Sequence, residues 1–212
     1  MRFKIRLFWE SRLPSDDDIC ILRELIKQNM IVEPFINADS GKYELRLTDQ
    51  RNPRSRVHIT NVPRNTLAIK SDDFNEANKF FNSTKNECKR SDYIIISTNN
   101  SDKWAIFVEL KQSTAHSKPK DIINQLRGTR CFYEYCCYTI HQFWGDSAPV
   151  LDEYNERYVV FPNTNGSRKR PVGYDVNEPI HNNPKEARKI YRKDIDFNIL
   201  VIHKKNNSFI HN

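Results

Sequence analysis

Glycine is scarce in this chain: five of 212 residues, none clustered. A loop that cradles phosphate with consecutive backbone N–H groups needs several glycines close together, so ATP use by this chain itself is excluded. Long apolar runs are also missing, and no stretch approaches the roughly 20 residues needed to cross a bilayer. The five cysteines are an odd number without a framework of spacings. They point to a reducing, cytoplasmic setting rather than to a disulfide scaffold. No nucleophile elbow surrounds a serine and the histidines are scattered, so a serine or cysteine hydrolase finds no support. Residues 1–10 alternate basic and apolar side chains and lack a small-residue cleavage site, which reads as a strand rather than a leader.

What the chain has is positive charge. There are 34 Lys and Arg against 27 Asp and Glu, a net charge of +7 and a pI near 9.1. Such a balance suits a polyanionic partner, nucleic acid first among them, although a solvated basic surface gives the same count. Aromatics at 11% supply bulky core material, and the length suits one well-cored domain.

Periodicity sets out the elements. Phe3, Ile5, Leu7 and Trp9 share one face of a strand. Ser15 and Asp16 to Asp18 open a helix expected to run to about Asn29. Residues 32–36 and 43–47 form a hairpin around Ser40-Gly41, Asn52-Pro53 marks a turn, and strands follow at 57–60 and 66–70. Ser71-Asp72-Asp73 opens a helix through Phe81. Two runs apolar on both faces, 93–96 and 104–108, predict a central hairpin covered on each side. A helix over about 120–143, a buried strand at 158–161, a short helix near 184–192 and a final strand at 197–202 complete the reading.

The central hairpin carries the chemistry. If its turn is centred between Asn100 and Ser101, the residue facing Glu109 is Asp92. Directly opposed residues share a face with Cβ atoms about 4.5–5.5 Å apart. Lys111, two residues beyond Glu109, points to that face too. Two carboxylates that close repel unless a cation lies between them, and oxygen-only ligation suits Mg²⁺ or Mn²⁺. Such an ion would hold a phosphate oxygen and lower the pKa of a bound water, while Lys111 orients that water and offsets charge on the phosphate. An E-x-K triplet alone is commonplace; its pairing with an aspartate across a hairpin of matching length is much rarer.

Ser91-Asp92 and Phe107-Val108-Glu109-Leu110-Lys111 resemble the signature of the PD-(D/E)XK nucleases, with Ser91 where the family name has proline. The resemblance covers roughly residues 70–165. It implies an α/β fold with a restriction-endonuclease-like core, a mixed central sheet flanked by helices. Residues 1–70 would be a β-rich N-terminal elaboration packed on a core formed by 71–212. The resemblance also implies that Asp92, Glu109 and the Leu110 carbonyl ligate the metal. Several branches carry a glutamine on the next helix, a part that Gln125 would play by bracing Lys111 or the attacking water. Some place an acid on an early helix, and here Glu76 stands ahead of Glu24.

The implied activity is metal-dependent hydrolysis of phosphodiesters, in DNA rather than RNA, by in-line attack of activated water that leaves a 5′-phosphate. Restriction, anti-phage defence and junction resolution all use this core. A non-catalytic module of the same fold, for nucleic-acid or protein binding, is the alternative, and an RNA-processing endonuclease a remoter one. The small size predicts a homodimer or a partner subunit, and no membrane. Phosphate contacts are expected from Lys118, Lys120, Arg127 and Arg130, from Arg168, Lys169 and Arg170, and from the cluster Lys185, Arg188, Lys189, Arg192 and Lys193. Cys131, Cys136, Cys137 and His141 do not match a zinc knuckle and read as small helix residues.

Overall fold

The computed structural model describes residues 14–49, 52–74, 77–99, 102–111, 118–145, 151–162 and 180–201. The strand expected at 3–9, the candidate acid Glu76 and the basic run Arg168, Lys169 and Arg170 lie outside them.

The molecule is mixed α/β, with two mixed sheets flanked by helices. Helix α1 (Pro14–Leu25) puts Ile19 and Leu22, with Ile26 just beyond its end, on one buried stripe against the strands Asn65–Lys70 and Tyr93–Asn99. It ends before the expected Asn29, because Lys27 turns to extended geometry and a single 3₁₀ turn leads into β1 (Ile31–Val32). Then come β2 (Phe35–Ile36), β3 (Tyr43–Asp49), β4 (Asn52–Thr60) and β5 (Asn65–Lys70). The 35–36/43–44 hairpin forms as expected. Its turn rests on Asn37, whose Oδ1 accepts from the N–H groups of Asp39 and Ser40, and on Gly41 at φ +66°. Asn52-Pro53 opens β4 rather than forming a turn, a position where proline removes no ladder bond from a strand interior.

The helix expected over 71–81 shrinks to one turn, α2 (Ala77–Phe80). Ser71 is drawn instead into the sheet, its N–H on Asp92 O at 3.0 Å and its Oγ on Ser91 O at 2.6 Å. The central hairpin is β6 (Tyr93–Asn99) and β7 (Asp102–Lys111). Helix α3 (Pro119–Trp144) then crosses over to β8 (Asn155–Pro162), which runs parallel to β7.

The six-stranded sheet has the order β1-β5-β6-β7-β8-β9, where β9 is Arg188–Lys189, so the hairpin occupies its middle. One face, with Leu67, Ile69, Ile94, Ile96, Phe107 and Val160, packs on α1 and α3. The other, with Ala68, Ile95, Ile106, Val108 and Val159, packs on Leu45, Leu47, Val57 and Ile59 of a four-stranded sheet, β10-β4-β3-β2. Here β10 is Asp194–Asp196. The boundary expected at residue 70 therefore falls at the end of a strand inside the hydrogen-bonded sheet. Residues 31–70 build the core rather than decorate it.

The C-terminal segment departs most from expectation. The helix expected near 184–192 is a 3₁₀ turn followed by β9. The strand expected at 197–202 is helix α4 (Phe197–Val201), entered where Asp196 Oδ1 accepts from Asn198 N at 2.9 Å. A six-residue run, all but Asn198 apolar, fits a strand or a short buried helix equally well, and here the Asp196 side chain decides. Helix α4 leaves carbonyls unsatisfied at its end; Arg188 Nη1 donates to Ile199 O at 2.7 Å and His181 Nε2 lies 3.0 Å from Leu200 O. Arg188 is thereby buried and structural rather than available to phosphate.

Candidate active site

The site forms where three elements end together: the entry to β6, the exit from β7 and the first turns of α3. The register pairs Tyr93 with Val108 and Asn99 with Asp102, which places Asp92 opposite Glu109 as the count from the turn requires. Because Phe107 faces α3, Glu109 and Lys111 face it as well.

Each side chain is held. Asp92 Oδ2 accepts from Leu110 N at 2.6 Å. In an extended strand the N–H and C=O of one residue point to the same side, so the Leu110 carbonyl is turned toward Asp92 as well. The Lys111 ammonium pairs with Glu109 Oε1 and donates to Gln125 Oε1 at 3.0 Å. Gln125 Nε2 in turn donates to Arg90 O at 3.4 Å, which fixes the amide so that its oxygen faces the lysine. Of the two parts the resemblance implies for Gln125, the geometry gives it the bracing of Lys111.

Ser91 uses the N–H that a proline at this position would lack. Its N–H donates to Thr129 Oγ1 at 2.6 Å and its Oγ pairs with the same atom at 2.9 Å, all of it buried. Proline has no N–H to give. Ser91→Pro is therefore expected to destabilise the protein by about 2 kcal/mol, by stranding the Thr129 hydroxyl and removing two bonds. A urea titration with the midpoint unchanged would refute this account of the position.

The electrostatics are unfavourable for the carboxyls. Glu109 is 1% exposed, and its Oε2 is buried without a partner. Burial pushes its carboxyl up to about 7, with Lys111 opposing and Asp72 adding to the rise. Asp92 is held well above the usual carboxylate range, by withdrawal from water first and by Glu109 second. In the unfolded chain Glu109 titrates near 4.5, so folding is unpenalised below that pH. The penalty grows as pH rises toward 7 and is complete above it. Glu109→Gln is expected to raise metal-free stability by about 2 kcal/mol at pH 8 and by little at pH 4.5, measured by thermal melting in EDTA. An equal gain at both pH values would show that the buried charge is not the cause.

Asp72 is the residue that reading the sequence missed as an acid of the site. It is half-buried and close enough to raise both carboxyls. Pairing β5 with β6 would have found it: Lys70 opposes Tyr93, so the chain just past β5 runs alongside Asp92. Glu24, the other early acid considered, is not brought here. It accepts from Trp144 Nε1 at 3.1 Å, at the far end of α3 from Gln125.

Among the basic candidates, Lys118 and Lys120 lie exposed at the N-terminal end of α3, the end that carries Gln125. Arg127 is exposed but turned about 200° from Gln125 around the helix. Arg130 is engaged elsewhere, with Glu156 at 2.9 Å and Glu134 at 3.2 Å. Cys136 is buried in the core beside Phe132 and Tyr133, while Cys131 is exposed.

Among the described residues, no three His, Cys, Asp or Glu side chains form a ready-made metal cluster. The donors present nevertheless suit a hard divalent cation that keeps several waters. They are two carboxyls that repel each other, one of them with a buried oxygen lacking any partner, and a carbonyl directed the same way. No helix of the described residues is long and apolar enough to cross a membrane. Comparison of the chain with protein-family profiles, with curated proteins and with solved structures gives no match.

Proposed function

We propose that this protein is a metal-dependent phosphodiesterase of the PD-(D/E)XK type, acting on nucleic acid, DNA before RNA. The observation that carries the reading is the convergence of Asp92, Glu109, Lys111 and Gln125 at one end of a buried hairpin, with a carboxylate oxygen left unpartnered in the interior. A protein interior does not keep such an atom without compensation, and a cation is the compensation two neighbouring carboxylates call for.

Asp92, Glu109 and the Leu110 carbonyl would hold Mg²⁺ or Mn²⁺, which supplies the charge that activates water and neutralises the phosphate. The remaining work falls to the chain. Lys111, braced by Gln125, keeps its ammonium on the Glu109 side of the site, where it orients the attacking water and offsets the charge that builds on the phosphate oxygens. Leu110 N–H fixes Asp92 so that the carboxylate does not swing away when Lys111 moves. The net charge of +7 favours approach of a polyanion. A restriction, anti-phage defence or junction-resolving role, and a homodimer or partner subunit, belong to this proposal as settings for the same chemistry.

The test is incubation of the purified protein with plasmid, single-stranded DNA and RNA in Mg²⁺, Mn²⁺ or EDTA, beside Glu109→Ala and Lys111→Ala. Metal-dependent cutting lost in both variants supports the reading. No cutting by the native chain, together with no Mn²⁺ binding by calorimetry, would overturn it in favour of a non-catalytic module of the same fold.

A further inference from the structure

Beside the carboxylates, on the β8 side of Lys111, lies a cavity of about 390 Å³. Its walls are aliphatic: Ile122 and Ile123 of α3, Val160 of β8, and Ala187 before β9, with prolines closing the corners. Among the described residues its charged groups are three lysines, Lys111, Lys185 and Lys189, with no carboxylate in the lining. Lys185 and Lys189 are exposed, while Lys111 is shared with the Glu109 pair.

We infer that this cavity seats one unpaired nucleotide of the substrate strand, next to the phosphate held at Asp92 and Glu109. The inference rests on the nuclease reading above and adds the substrate class to it. Lys185 and Lys189, exposed and without a counter-charge among the described residues, call for an anion, and apolar walls call for an occupant with a flat, weakly polar body; a nucleotide joins the two. The volume falls within the roughly 300–1,000 Å³ range of small-molecule sites. Because Lys111 belongs to both sites, a strand with its phosphate at the carboxylates has a neighbouring nucleotide at the cavity mouth.

A stacked, paired base cannot enter a walled cavity without leaving the helix, which costs a few kcal/mol. The protein is therefore expected to prefer single-stranded ends, gaps or flaps over intact duplex. Among the described residues the lining offers lysine donors to phosphate and no Asn, Gln, Asp or Glu, so the preference expected from them is for unpaired structure.

The experiment is fluorescence anisotropy in EDTA, where no metal-dependent cutting occurs, with a 5′-phosphorylated oligothymidylate of about 12 nucleotides and a duplex of the same length. At about 0.15 M salt the single strand should bind at least about tenfold more tightly than the duplex. Lys185→Ala with Lys189→Ala changes only exposed side chains, and Ala187→Leu fills the cavity. Each should weaken single-strand binding about tenfold while leaving duplex binding within about twofold. Thermal melts identify any variant that fails to fold.

Equal binding of the two probes, absence of single-strand binding, or native-like binding by both folded variants would overturn the inference. The two proposals fail separately. Plasmid cutting with native-like oligonucleotide binding in the variants removes the cavity and keeps the nuclease. Cavity-dependent binding with no cutting in Mg²⁺ or Mn²⁺ keeps the cavity and removes the nuclease.

Discussion

Lys111→Met is expected to slow metal-dependent cleavage by about 10³-fold while Mn²⁺ binds at least as tightly as to the native chain. The two halves of that result come from one contact. In this structure the Lys111 ammonium lies on Glu109 Oε1, so lysine and a divalent cation draw on the same carboxylate. Removing the ammonium frees that oxygen for metal and removes the group that steadies charge on the attacked phosphate. Methionine keeps an aliphatic stem of similar length and removes the ammonium, both its charge and its bond to Gln125 Oε1. Calorimetry with Mn²⁺ and single-turnover cleavage read the halves independently. If metal affinity falls together with cleavage, Lys111 is a structural support of the carboxylates, and its assigned part in the chemistry is wrong.

The second large effect is expected on the α3 backbone, at Gly128. Gly128→Ala should lower stability by about 3 kcal/mol or more and Tm by about 10 °C. On helix propensity alone the change would stabilise by up to about 1 kcal/mol, so the sign itself is diagnostic. The reason is close approach: a Cβ at Gly128 would stand 1.9 Å from the Lys89 carbonyl oxygen and 2.7 Å from Arg90 Nη1. The arginine can move; the backbone cannot without carrying Ser91 and Asp92 along. Thr129, the next residue, holds Ser91, so α3 and the segment entering β6 are pressed together at this one point. On the proposed nuclease reading, displacement of Asp92 by about 1 Å would reduce turnover about 10²-fold. A Gly128→Ala variant with native Tm would show that the segment yields freely, and would remove the case that α3 positions Asp92.

The site was more legible in the sequence than the architecture around it, for identifiable reasons. The Asp92–Glu109 pairing followed from counting across a short turn between two apolar runs; with both faces of both runs apolar, the turn and not side-chain alternation sets the register. Gln125 needed the resemblance, since a polar residue near a helix start carries no local mark. Asp72 was hidden because it matched an N-terminal helix pattern, and only the β5–β6 pairing shows where it goes. Glu24 and Arg130 failed as candidates because their partners, Trp144 and Glu156, come from segments that no local pattern brings near. The same non-locality concealed the second sheet. Nothing in Leu45, Leu47, Val57 and Ile59 announces that their common partner is the outer face of the central hairpin. The run at 197–202 was ambiguous in itself, six residues, all but Asn198 apolar, being too few for periodicity to separate helix from strand.

The pairing of β10 with β4 sets the order in which the molecule can be made. Thr60 meets Ile195 across 135 positions of a 212-residue chain. During synthesis the hairpin of β6 and β7 can close as soon as it emerges, whereas the β4 edge that β10 covers stays open until β10 has left the ribosome. Loop closure over such a span is slow, and an unpaired edge is a template for other chains. Truncation of even the final 20 or so residues is thus expected to send the nascent protein toward aggregation rather than toward a smaller folded core.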